Sequence, residues 1–178
     1  MVPDFDRMSV TGRFPQELKH LESERMLSWD EVYQLTEMLA KVIKRDYKPD
    51  VVVSIATGGL VPAKLLKEML GVKVMGVISA RFYNKKVRTE KCIVEPVLSG
   101  FVPKHTDYKV LVVDDIVETG TTFHEVMKVL PEMLGLGEWK IKTATLLKKP
   151  GAKFEPDYYA SEAGEWVVFP WEAEEVSV

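Results

Sequence analysis

Val51-Val52-Val53-Ser54-Ile55 is aliphatic at four of its five positions, with none of the alternation that marks a strand wetted on one side. Such a run needs cover on both faces, as in a parallel sheet sandwiched between helices. Val110-Leu111-Val112-Val113 repeats the signal. Helical spacing fills the intervals. Ser28 and Glu31 form a capping-box pattern, Leu27 is placed to pack on Val32, and Val32, Leu35, Leu39, Val42 and Ile43 line one apolar stripe. Lys48-Pro49-Asp50 ends that helix. A second helix is expected over Pro62–Leu70, with Gly71 just past its end, and a third over Thr122–Leu134. Further strands are expected over Lys73–Ser79 and Ile141–Leu147. The expected fold is therefore α/β: a doubly wound, mainly parallel sheet with helices on both faces. Ligands of such sheets bind beyond the carboxyl ends of the strands.

At 178 residues, one domain is expected, spanning 27–178 after an N-terminal extension over 1–26 that is polar and aperiodic. A formal charge of -3, from 24 basic and 27 acidic residues, provides no general attraction for nucleic acid or an anionic membrane. No apolar run reaches the roughly 20 residues that span a bilayer. The opening MVPDFDRMSV has no basic start followed by an apolar stretch, and Cys92 has no partner for a disulfide, so a cytoplasmic setting is expected. Cys92 reads as a spectator thiol, and His20, His105 and His124 have no metal-binding spacing. Residues Arg81 to Lys109 are charged, weakly periodic and interrupted by two prolines, which suggests a hairpin or a flexible flap.

The chemistry concentrates at two strand-to-helix turns. Asp114 and Asp115 follow the second buried run, where paired carboxylates suit a vicinal diol or a hydrated Mg²⁺. Thr119-Gly120-Thr121-Thr122 then offers backbone N–H groups and hydroxyls at a helix N-terminus, a setting for a phosphate dianion. Together they call for a ribose phosphate. Neither a Walker loop nor a dinucleotide fingerprint is present, which disfavours an ordinary NTPase or dehydrogenase.

The stretch VLVVDDIVETGTT resembles the signature for phosphoribosyl diphosphate (PRPP) of type I phosphoribosyltransferases. The resemblance runs from about Leu27 to Glu172. It implies that Asp114 and Asp115 contact the ribose hydroxyls and Mg²⁺, and that Glu118, Thr119, Gly120, Thr121 and Thr122 hold the 5-phosphate. Ala56-Thr57-Gly58-Gly59-Leu60-Val61-Pro62 sits where the family keeps its pyrophosphate loop, often with a non-proline cis peptide. Bacterial xanthine-guanine enzymes usually have Arg at the place of Thr57, so pyrophosphate needs another cation. Arg88, near Lys85, Lys86 and Lys91, is the expected source.

Lys148-Lys149-Pro150 and Glu165-Trp166-Val167-Val168-Phe169-Pro170-Trp171-Glu172 are similar to the base-binding hood of the 6-oxopurine branch, especially xanthine-guanine enzymes and archaeal relatives. The resemblance places a hood at about 148–172. It implies that Lys149 donates to the purine 6-oxo group, Trp166 stacks on the ring, the Val167 backbone reads the opposite edge and Glu172 serves the 2-position; core packing is expected for Trp171. A lysine donor favours a carbonyl over the amino group of adenine, because two facing donors leave one unsatisfied. The implied activity is purine salvage: 5-phosphoribosyl transfer from PRPP to guanine, xanthine or hypoxanthine, with pyrophosphate leaving and a homodimer or homotetramer as the assembly. Glu118 stands where purine enzymes commonly place an Asp that exchanges a proton with the base. The alternatives are a non-catalytic PRPP-sensing regulator, or an enzyme for adenine, uracil or orotate.

Overall fold

The computed structural model describes residues 25–82, 92–97 and 107–172. Helix α1 (Trp29–Asp46) begins as its sequence requires. Ser28 Oγ accepts the Glu31 N–H at 3.2 Å, and the Glu31 carboxylate accepts the Ser28 N–H at 2.8 Å. Leu27 and Val32 are both buried in the core beside it. The helix stops before Lys48, which adopts a left-handed φ of 50° ahead of Pro49.

Strand β2 (Val51–Ala56) leads to α2 (Leu60–Leu70), which starts two residues before the expected Pro62 because a proline is tolerated in the first turn. Strand β3 (Val74–Phe82) pairs antiparallel with β4 (Cys92–Val97), so the Arg81–Lys109 excursion does contain a hairpin. The rest of the expected flap, 83–91 and 98–106, lies outside the described residues. Strand β5 (Val110–Val117) leads to α3 (Thr121–Leu134), then β6 (Ile141–Lys148), β7 (Tyr158–Glu162) and the two-residue β8 (Val167–Val168). Strand β7 was not expected from the sequence. Strand β5 is longer than the expected Val110–Val113, so the aspartate pair sits within the strand.

Among the described residues the main sheet has the order β4-β3-β2-β5-β6-β7, parallel except at β4. Alternation sorts the buried runs between two cores. Val52, Leu111 and Val113 face α1 and α2, whereas Val51, Val53, Ile55, Val110 and Val112 face α3. This confirms the doubly wound expectation. Each fully buried Val or Ile contributes about 1.5–3 kcal/mol, so the sheet centre can support polar groups at its rim. Arg25 and Met26, assigned to the N-terminal extension, instead form strand β1, paired in parallel with Val167 and Val168 of β8. No described helix is long and apolar enough to cross a membrane.

The capping box ties the start of α1 to the core, so Ser28→Ala should lower unfolding free energy by about 1 kcal/mol. Equilibrium urea denaturation measures this, and an unchanged midpoint would show that the cap contributes nothing.

Candidate active site at the carboxyl rim

Parallel pairing brings the ends of β2 and β5 side by side, and the loop after β2 folds over the acids of β5. Gly58 lies against Asp115 so closely that a Cβ there would come within 2.6 Å of the carboxylate carbon. A Cβ on Gly59 would overlap the Val113 carbonyl and approach the Ile55 carbonyl to 2.7 Å. Backbone contact therefore demands glycine at 59, and the Asp115 carboxylate demands it at 58. Thr57 is exposed at the loop tip, its carbonyl accepting the Leu60 N–H at 3.2 Å, and the Ala56–Thr57 peptide is cis.

Asp114 is only 9% exposed and Asp115 is half-buried. Asp114 accepts the Asp115 N–H at 3.0 Å, and Asp115 accepts the Ile116 N–H at 2.7 Å. Desolvation, followed by the Asp115 charge, pushes the Asp114 carboxyl well above the usual carboxylate range. Asp115 is pushed up to about 6, first by desolvation. The Ile116 N–H opposes that shift, and the nearby Glu172 charge adds to it. The Trp171 indole N–H is buried without a hydrogen bond of ordinary geometry among the described residues, yet close enough to Asp115 to favour its charged form. Trp171 itself stacks on Phe169 with ring centroids 4.7 Å apart and tilts against Trp29 at 6.0 Å. The expected packing role is thus present, with an additional polar contact toward the acids.

The next turn is closed by its own hydroxyls. Thr119 Oγ1 accepts the Thr121 N–H at 3.3 Å and lies 2.9 Å from Thr121 Oγ1. Gly120 has φ +88°, a conformation that favours glycine, and a Cβ there would approach the Phe154 nitrogen to 2.7 Å. Glu118 and Thr119 are exposed, while Thr122 is half-buried in the first turn of α3. Phe154 braces this turn by stacking on Phe123 at 5.0 Å, and the Lys153 N–H donates to the Thr119 carbonyl at 3.0 Å. Sequence reasoning passed over Phe154 because it sits in an aperiodic stretch rich in turn residues.

Lys149 begins at the same rim, its N–H donating to the Val117 carbonyl at 2.7 Å. Its ammonium donates to the Glu165 carbonyl and stands 5.9 Å from the Trp166 ring centroid. Trp166 is 59% exposed, presenting an aromatic face to solvent. The Arg25 N–H donates to the Trp166 carbonyl at 2.8 Å, and the Leu27 N–H to the Val168 carbonyl at 2.9 Å. In a parallel pair with this register, Val167 turns its own N–H and C=O away from β1. Glu172 accepts the Phe169 N–H at 2.8 Å, so its carboxylate is engaged in the hood's own turn and repels Asp115. The structure brings Thr57, Gly58, Gly59, Asp114, Asp115 and Glu172 together, and pairs Lys149 with Trp166. Arg88, Lys85, Lys86, Lys91, His20 and His105 lie outside the described residues.

The desolvated pair has a measurable cost. The folded chain holds the Asp115 proton up to about pH 6, whereas the unfolded chain releases it near pH 4, so the native state loses stability as pH rises through that window. Asp115→Asn should therefore stabilise the ligand-free protein by about 1–2 kcal/mol near pH 7.5, with the gain fading toward pH 4.5. Urea denaturation at both pH values checks this, and a variant less stable at the higher pH would contradict it.

A profile of the phosphoribosyl transferase domain family matches residues 24–177. The xanthine-guanine phosphoribosyltransferase of Idiomarina loihiensis is 31% identical over 157 residues, covering 86% of this chain and 89% of the relative. That of Gluconobacter oxydans is 30% identical over 152 residues, covering 82% and 83%. The crystal structure of a purine phosphoribosyltransferase from Pyrococcus horikoshii superposes with a TM-score of 0.73 at 35% identity, covering 87% of this chain and 97% of the other. With the acid pair, the glycine loop and the threonine turn on one rim and the match spanning nearly the whole chain, this protein belongs to the phosphoribosyltransferase family.

Proposed function

We propose that this chain transfers the 5-phosphoribosyl group of PRPP to a 6-oxopurine base (guanine, xanthine or hypoxanthine) in purine salvage, yielding the nucleoside monophosphate and pyrophosphate. The observation that carries the acceptor assignment is the Lys149 ammonium held on the Glu165 carbonyl beside the open face of Trp166. A purine stacked on that indole meets a fixed cationic donor at one edge and the outward-turned backbone of Val167 at another. The names of the relatives support the same substrate class.

For the donor, Asp114 and Asp115 take the ribose hydroxyls, and Thr119 to Thr122 with Gly120 take the 5-phosphate through hydroxyls and the N-terminal amides of α3. Thr57, Gly58 and Gly59 lie along the pyrophosphate, with Arg88 completing its charge. Two mutually repelling, poorly hydrated carboxylates suit a divalent cation, and Mg²⁺ ordinarily takes one or two carboxylates together with substrate phosphates. Asp114 and Asp115 would hold it. When bound, Mg²⁺ supplies charge neutralisation to the departing pyrophosphate. The bond from ribose C1 to the pyrophosphate oxygen breaks and its electron pair leaves with pyrophosphate. The purine nitrogen forms the new bond, and its proton passes to Glu118. No enzyme nucleophile is needed, so the residues contribute alignment and electrostatics. Glu172 serves the hood's turn more directly than the base's 2-position, given that it accepts the Phe169 N–H. A cytoplasmic setting and a homodimer or homotetramer complete this reading.

A nucleobase panel with PRPP and Mg²⁺, followed by nucleotide formation, tests it. Guanine, xanthine or hypoxanthine should react while adenine, uracil and orotate do not. Binding of PRPP without any product would instead indicate a PRPP-sensing regulator. Lys149→Ala should lower kcat/KM for the purine by about 10- to 100-fold, the scale of a lost charge-assisted hydrogen bond, and leave the KM for PRPP largely unchanged. Equal activity in the variant would remove Lys149 from base recognition.

A further inference from the structure

Arg25 precedes every residue to which a site role is assigned above, yet its contacts converge on the acceptor side. Its N–H holds the Trp166 carbonyl at 2.8 Å. One guanidinium nitrogen donates to Glu31 Oε1 at 2.9 Å, and the other lies 3.9 Å from Glu165 Oε1. Glu31 is itself fixed, since its second oxygen accepts the Ser28 N–H at 2.8 Å and the Ser28 hydroxyl at 2.9 Å. The Ser28 N–H first, and Arg25 among further groups, holds the Glu31 carboxyl below its ordinary range. A continuous set of contacts thus runs from the capped start of α1, through Arg25, to Glu165 and Trp166, where the Glu165 carbonyl meets the Lys149 ammonium.

We propose that Arg25 is a positioning residue for the acceptor base, with its guanidinium fork fixing the Glu165-Trp166 segment against α1 so that indole and ammonium keep their relative placement. The inference rests on the acceptor reading above. Trp166 is mostly exposed, and the backbone bonds from Arg25 and Leu27 and the Lys149 ammonium hold only main-chain carbonyls of this segment, so the guanidinium adds the contact to the Glu165 side chain. Arg suits the task because two separate nitrogens reach two carboxylates at once; a Lys ammonium offers one point charge. The side chains of Arg25 and Glu165 are 30% and 27% exposed, and ion pairs this open add little to stability. Their effect should therefore appear in acceptor binding.

The experiment is steady-state kinetics of wild type, Arg25→Ala, Arg25→Lys, Glu165→Ala and the double variant Arg25→Ala/Glu165→Ala, varying purine and PRPP separately, with melting temperatures recorded. Arg25→Ala should raise the purine KM roughly 3- to 10-fold, leave kcat and the PRPP KM within about twofold, and barely move the melting temperature. Arg25→Lys should fall between wild type and Arg25→Ala. The double variant should be no worse than the more impaired single one, because both changes break the same link. An unchanged purine KM in Arg25→Ala would overturn the proposal while leaving the acceptor reading intact. So would an equal rise in both KM values, or losses that track a fall in melting temperature. A wild type that converts no purine would remove both.

Discussion

Asp114 and Asp115 repel one another within strand β5 with little access to water, and a chain that only needed to fold would place apolar side chains there. The neighbouring backbone is shaped to tolerate this repulsion. Gly58 and Gly59 bring the loop after β2 down onto the two acids, where any side chain would collide. The sheet beneath supplies buried Val and Ile on both faces, enough to hold an unfavourable pair in place. Retaining such a pair is the familiar exchange of stability for a site that is ready before its ligand arrives.

The remaining parts extend from this rim in two directions. The threonine turn enters α3 immediately after β5 and is braced from behind by Phe154, which stiffens it. Lys149 follows β6 at the same rim, and the segment returning from β7 brings Trp166 to its ammonium, while Trp171 and Glu172 approach Asp115. The same tryptophan that stacks on Phe169 also borders Asp115, which links the C-terminal segment to the acid pair.

Much of this was legible in the sequence because the relevant signals are local. The unalternating runs at Val51 and Val110 fixed two buried strands, and the Ser28/Glu31 pattern set the start of α1 to the residue. The rim assignment followed from topology. What escaped were features created by contacts between distant segments. Strand β7 and Phe154 sit in a region of turn residues, where no period distinguishes a short strand from a loop. Arg25 and Met26 read as a polar extension because a two-residue strand has no pattern until its partner, Val167-Val168, is known. The extra length of β5 was hidden because two aspartates look like the end of a strand, although pairing with β6 carries the ladder on to Val117. The engagement of Glu172 with Phe169 likewise depends on a turn geometry that charge alone does not reveal.

The central claim is that the acids of β5 and the threonine turn grip one sugar-phosphate donor. A crystal structure of the protein with PRPP and Mg²⁺ tests it most directly. The ribose hydroxyls are predicted at Asp114 and Asp115, with the 5-phosphate enclosed by Glu118 to Thr122 at the start of α3. A donor bound elsewhere, with the acids still sealed beneath Gly58 and Gly59, would contradict the account.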